Sequence, residues 1–299
     1  AAGGSMSRAE SRPTVRDIPD SPFLRRERIS RLVGAAGRLF RRARQASFRA
    51  VILETALADA LYLNWAIPAA ALPELPRALR YDLAPGEGGG SFFGFFSLVL
   101  FRQVGLHVRG ASWLALSYPQ ANARLYVRDM NGAPAVFLLR QLAPAWVVPI
   151  ARMVARQPLS GALLDFPGAV AGGLDGARRW KGHAGAGFDF VAHAGASPSG
   201  RPTLGSFSDT SAFFRERSRA YWVRSTSLRS AETKHPTADV VPMHVEVVSA
   251  AWLESFLPFE PEGSWGAVHS AFLVPEVRLA FLFGAEPELV APAQAAMAG

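Results

Sequence analysis

The chain has 299 residues, 49% of them apolar and 19% charged, which is enough to bury a large core and too few for more than about two domains. It contains no cysteine, excluding disulfides, thiolate catalysis and sulfur-ligated zinc, and its 2 lysines against 30 arginines leave few amines for an imine but many groups that hold anions. The net charge of +8 sits in one arm: residues 1–50 carry all of it, while residues 51–299 hold 20 basic and 20 acidic groups, so a nucleic-acid partner is not expected of the body.

In chain order, residues 1–5 read as a cloning scar ahead of Met6, and residues 6–20, polar and broken by Pro13 and Pro19, as a disordered arm. From Ser21, a capping residue followed by Pro22, apolar positions such as Ile29, Leu32, Ala36, Leu39 and Ala43 recur at three- and four-residue spacing and predict one amphipathic helix over 21–48. Its other face is crowded with arginines from Arg25 to Arg44. Three readings stay open for it: a solvated face above a packed stripe, attachment to an anionic membrane surface, or contact with an acidic partner or nucleic acid. No apolar run reaches the roughly 18 residues of a membrane span or resembles a secretory segment, so a cytoplasmic location is expected.

Residues 49–284 read as a single β domain. Ser91–Val104 is apolar on both faces, as a strand covered on both sides should be, and the Gly-rich run 86–90 before it lacks the Gly-Lys-Ser/Thr ending of a phosphate loop. Asn122–Arg128 alternates strictly, and Ala135–Leu142 is its hairpin partner across Asp129-Met130-Asn131-Gly132. A helix over Pro144–Gln157, kinked or split at Pro149, follows. Further strands are expected at Phe188–His193, Ser218–Thr226, Met243–Val248 and Arg278–Phe283, a helix or turn at Phe213–Arg217, and a short helix at Ser249–Phe256. Residues 182–202 suggest a mobile loop, and 285–299 a flexible tail. This pattern predicts a mainly β, α+β fold: an antiparallel closed or bent β-barrel with flanking helices.

The segments Phe101-Arg102, Asn122-Ala123-Arg124-Leu125-Tyr126-Val127-Arg128-Asp129, Phe214-Arg215-Glu216-Arg217 with Tyr221, His235-Pro236, Val241 to Glu246 and His269-Ser270 occur in that order. Together they resemble the YqjF-like family, a domain of unknown function (DUF2071) in the acetoacetate decarboxylase-like superfamily, over roughly residues 48–284. The resemblance implies an antiparallel β fold closed around a small internal cavity. It implies no known substrate. The superfamily's founding chemistry needs a lysine after the helix corresponding to Pro144–Gln157. Here that stretch reads Arg156-Gln157-Pro158-Leu159-Ser160, and arginine does not replace the amine because it stays protonated.

The polar face Asn122, Arg124 and Tyr126 points to solvent or to an interior, since alternation sets parity and not direction. If interior, Arg124 is a preformed clamp for a carboxylate or enolate, with Asn122 and Tyr126 adding hydrogen bonds. His244 and Glu246 share one strand face and read either as a proton-transfer pair or as a solvated couple. Glu216 and Arg217, beside Tyr221, suggest an ion pair at the foot of a strand, and with His235 they complete the candidate ligand-binding set. His235 and His269 provide no metal spacing, so neither metal nor cofactor is expected. The expected function is binding of a small carboxylate- or enolate-bearing metabolite. If the chain is an enzyme, it is a lyase- or isomerase-like acid–base catalyst for enolisation, dehydration or cyclisation, working without an imine through Arg124, His244 and Glu246. The alternative is a non-enzymatic interaction protein attached to a membrane or partner through residues 21–48, and a homo-oligomer stays open.

Overall fold

The computed structural model describes residues 51–86, 88–154, 157–167, 176–196, 204–234, 236, 238–283 and 289–290. The expected scar, arm and basic helix of residues 1–48, and His235, lie outside them. In chain order the strands are β1 (Val51–Pro68), β2 (Arg80–Tyr81), β3 (Ala84–Pro85), β4 (Phe92–Val108), β5 (Leu116–Arg128), β6 (Pro134–Ala143), β7 (Leu159–Gly161), β8 (Leu163–Asp165), β9 (Arg178–Ala184), β10 (Ala186–Ala194), β11 (Arg219–Arg224), β12 (Ser227–Lys234), β13 (Val241–Ser249), β14 (Ser270–Phe283) and β15 (Leu289–Val290). The helices are α1 (Val147–Val154), α2 (Phe207–Arg215) and α3 (Ala251–Glu254).

Pairing runs β12–β11–β6–β5–β4–β1–β14, and β14 returns to β12 through Glu232 opposite Leu282, so seven strands close a ring. Every junction is antiparallel except β6–β11, where Arg219–Tyr221 run parallel to Ala135–Phe137. The wholly antiparallel order expected from the sequence is corrected there. The chain leaves the ring after β6, builds β7 to β10 and α2, and re-enters in the direction of β6. From β14 the pairing continues through β13, β10, β9 and β8, a second sheet. Within the expected tail, Leu289 and Val290 pair with Leu228 and Ser227.

Long strands wrap the ring because bulges bend them. β1 breaks register between Ala58 and Leu61 around Asp59, which holds φ 51°, and β4 does so between Gln103 and Leu106 around Gly105, at φ 65°. Asp59 accepts from Arg178 Nη1 on β9 at 2.9 Å, tying the bulge to the second sheet. Burial raises the Asp59 carboxyl above its ordinary range, and Arg178 only partly offsets this. A raised folded-state value favours folding below the unfolded pKa and loses that contribution as pH rises through the folded one. Asp59→Asn, which keeps the shape and tolerates positive φ, is therefore expected to gain thermal stability over the parent on going from pH 4 to pH 7. Melting curves at the two pH values check it; an Asn variant that loses ground as pH rises contradicts it.

Two apolar clusters result. One fills the space between the ring's outer face and the second sheet, where Trp65, Phe96, Leu98 and Leu125 meet Phe188, Phe190 and Trp252. The other lies on the ring's inner face, where Phe95, Val99, Tyr126 and Phe272 meet Phe214 of α2. β4 is thus covered on both sides, as its unbroken apolar run predicted. In the second sheet, Gly182 faces the Phe188 ring so closely that an added Cβ would stand 2.3 Å from it and 2.8 Å from Leu164. Gly182→Ala is expected to cost about 1–3 kcal/mol by overpacking, measurable by urea denaturation; an unchanged midpoint would contradict this packing.

Candidate functional site

β5 sets the direction of the polar face. Its alternate residues Ala121, Ala123, Leu125 and Val127 are fully buried in the outer cluster beneath the second sheet, so Tyr118, Gln120, Asn122, Arg124 and Tyr126 turn into the ring. There Tyr118, Gln120, Asn122 and Arg124 border a cavity of about 210 Å³ with apolar walls that include Leu57, Val99, Phe101, Val136, Leu138 and Val274, and Tyr126 supports Arg124 from behind. One water needs only about 10–15 Å³ by such a measure, so the space suits a small organic molecule. Set into the walls are the amides of Gln103, Gln120, Asn122 and Gln141, the hydroxyls of Tyr62 and Tyr118, and the guanidiniums of Arg124, Arg215 and Arg217. None of the lining residues is a carboxylate or a lysine.

Arg124 is held by neutral groups. Its Nε and Nη2 donate to the Tyr126 hydroxyl at 3.2 and 2.9 Å, Nη2 also donates to the Phe214 carbonyl at 3.0 Å, and its guanidinium carbon lies 5.0 Å from the Tyr62 ring centre. Burial by itself would favour the uncharged form, but contacts with Tyr126 and Tyr62 outweigh it and hold the guanidinium protonated. Nη1 enters none of the contacts to Tyr126 and Phe214. Behind Arg124 a buried chain fixes its support: the Tyr126 hydroxyl meets Ser97 Oγ at 2.8 Å, Ser97 donates to Asn64 Oδ1, and Asn64 Nδ2 donates to Ser270 Oγ at 3.1 Å. Burial pushes the Tyr126 and Tyr118 hydroxyls above their ordinary values, so both stay protonated near neutral pH.

α2 closes one end of the interior. Ser206 caps it, accepting from Asp209 N at 3.2 Å while Asp209 accepts from Ser206 N at 2.9 Å, the reciprocal pair that starts a helix. The helix packs Phe213 and Phe214 edge-on against Phe95, with centroids 5.2 and 5.3 Å away. After it, Arg217 donates to Phe213 O at 2.8 Å and pairs with Asp82 at 2.5 Å, and Asp82 also takes Arg128 Nε at 2.7 Å.

The structure brings together Asn122, Arg124, Tyr126 and Arg217 of the candidate set. It does not bring His244 or Glu246 to them. Both are exposed on β13 in the second sheet, where His244 faces His193 across the strand pair with ring centroids 4.9 Å apart. Their shared face is the solvent face, because Met243 and Val245 take the apolar side. Glu216 is exposed at the end of α2, and the ion pair of Arg217 is made with Asp82 instead. Sequence reading missed Tyr118 and Gln120, although the period of two carried back from Asn122 points to them. It also missed Gln141, opposite Asn122 in the hairpin register, and Arg215, which needs the fold to reach the cavity.

A family model for DUF2071, described as an uncharacterized conserved protein, matches residues 54–269, a span that contains β5, α2 and the cavity's arginines. The chain belongs to the DUF2071 family. No functionally curated protein matches this DUF2071 chain. Among solved structures it is similar to the enduracididine biosynthesis enzyme MppR complexed with the condensation product of pyruvate and imidazole 4-carboxaldehyde, at 9% identity and TM-score 0.51 over 80% of this chain and 89% of that one. MppR complexed with pyruvate gives 9% identity and TM-score 0.50 over 81% and 91%. An acetoacetate decarboxylase-like enzyme from Sphingomonas wittichii RW1 gives 14% identity and TM-score 0.47 over 81% and 94%. At these identities the likeness is one of fold. Among the described residues of the DUF2071 chain, no helix is long and apolar enough to cross a membrane.

Proposed function

We propose that the ring acts as a closed barrel whose interior binds a small organic anion, a carboxylate or the enolate derived from one, on Arg124. The observation that carries this reading is a buried guanidinium with no carboxylate partner among the described residues, set beside an apolar wall. Its neutral partners offset the cost of burial but leave its charge unbalanced, and a bound anion supplies the counter-charge. Asn122, Gln120 and Gln141 supply amide hydrogen bonds beside it, since Gln120 and Gln141 both donate to Asn122 Oδ1, at 2.8 and 3.2 Å. The fold neighbour MppR, complexed with pyruvate, supports a ligand of this class.

Any chemistry at the site is electrostatic: the guanidinium and amides stabilise oxyanion character in a largely apolar cavity. The lining residues contain no lysine for an imine. With His244 and Glu246 outside the ring, proton transfer falls to the His107 imidazole, which lines the cavity, to the Tyr62 or Tyr118 hydroxyls, or to the ligand's own groups. Calorimetric titration of the full chain with pyruvate and butanoate, beside pyruvamide and butanamide, tests the reading. The acids are expected to bind at least about tenfold tighter than their amides, the worth of one charge-assisted hydrogen bond. Equal affinity for acid and amide contradicts it.

A further inference from the structure

We infer that the ligand carries two oxyanion groups, the second held by Arg215; this rests on the reading of the cavity as an anion site. Three guanidiniums line the cavity, and their charge balance differs. Arg217 is paired with Asp82, a carboxylate it shares with the half-exposed Arg128. Arg124 touches only hydroxyls, rings and a carbonyl. Arg215 is anchored through one nitrogen, Nη1, which donates to the Ala238 carbonyl at 3.1 Å. Its Nε is buried without an acceptor, and no ion pair reaches its guanidinium from any described residue. Two cations bordering one cavity with no lining carboxylate call for two negative charges there.

The geometry of Arg215 also states how the second group binds. Nε and Nη2 form the side-on edge of a guanidinium, the edge that grips both oxygens of a carboxylate or two oxygens of a phosphate. This protein uses that edge elsewhere: Arg179 donates from Nε and Nη2 to the two oxygens of Asp189 at 2.7 and 2.6 Å. In Arg215 the Nε of that edge is buried without an acceptor, so gripping a ligand side-on requires the side chain to turn this edge toward the cavity, whereas in Arg124 the edge is occupied by Tyr126 and Phe214. One end of the ligand therefore meets Arg124 beside the amides, the other draws the Arg215 edge onto itself, and the apolar walls flank the carbons between them.

The test is calorimetry on the full chain with straight-chain dicarboxylates from propanedioate to hexanedioate and the monocarboxylates of matching length. The best dicarboxylate is expected to bind at least about tenfold tighter than its monocarboxylate, and Arg215→Gln to remove that preference so that the two acids bind alike. Phosphonoalkanoates of matching length form a second arm, and whichever series binds tighter identifies the distal group as carboxylate or phosphate. Parent protein that binds monocarboxylates and dicarboxylates equally overturns the inference while leaving the anion site standing. So does a preference that survives in Arg215→Gln. Parent protein that binds neither series removes the anion site itself. The comparison within the parent needs no variant, and Arg215→Lys, keeping the charge but not the fork, is expected to retain only part of the preference.

Discussion

Replacing Arg124 by methionine is expected to weaken carboxylate binding about 10- to 150-fold while costing the unliganded protein little stability. A hydrogen bond to a charged group contributes about 1.5–3 kcal/mol, so losing one weakens binding about 10- to 150-fold. Stability moves differently because no carboxylate among the described residues pairs with this cation. The variant gives up hydrogen bonds to the Tyr126 hydroxyl and the Phe214 carbonyl, which outweigh the cost of burying the guanidinium, but it removes that cost as well, so the net loss is small. Methionine's unbranched chain fills the vacated space beside Tyr62. Calorimetric titration and scanning calorimetry together read the split. Intact binding with a collapsed melting temperature would make Arg124 a strut rather than a ligand group.

Asp82→Ala is expected to cost about 3–5 kcal/mol, the usual result of stripping one partner from a buried ion pair. The Arg217 side chain is 5% exposed and that of Asp82 7%, so the bare guanidinium is left largely desolvated. The consequences spread through α2. Arg217 lies 4.3 Å from the Phe213 ring centre and 5.3 Å from that of Tyr126, and the Asp82 amide donates to the Tyr126 carbonyl, so this pair fastens the helix exit to the strand that carries Arg124. For a chain of this size the loss corresponds to a fall of about 6–20 °C in melting temperature. Chemical denaturation of Asp82→Ala, Arg217→Met and the double variant measures it. The double variant is expected to recover most of the loss, since it leaves no buried orphaned charge and Arg128, 41% exposed, is solvated; a single-variant cost near zero contradicts the assignment.

How much of this was legible in the sequence differs from element to element. The β5–β6 hairpin was, because Asn122–Arg128 alternates and Asp129 to Gly132 has turn chemistry: Asp129 Oδ1 accepts from Asn131 N and Ala133 N, and Gly132 takes φ 79°. β1 was not. Its Leu- and Ala-rich stretch has helical propensity, and only pairing with β4 and β14 on both sides makes it a strand of 18 residues. β12, mostly polar, and the first half of β14, interrupted by Pro275, also escaped, and α2 was placed late although Ser206 and Asp209 mark its start. At the site, parity grouped Asn122, Arg124 and Tyr126 correctly, but inside and outside were decided by the second sheet, which no local pattern announces. The same tertiary fact sends the His244–Glu246 face to solvent, since β13 turns its apolar side to the core. Arg215 lies beyond any local signal, because Ala238 positions it from a distant segment.

A crystal structure of the protein soaked with a small carboxylate tests the central claim most directly. The account predicts density for the acid inside the ring, with an oxygen within hydrogen-bonding distance of Arg124 Nη1 and its carbons against Val99 and Leu138. A carboxylate bound only on the outer surface, with the interior closed by side chains and Arg124 turned away from it, would contradict the account.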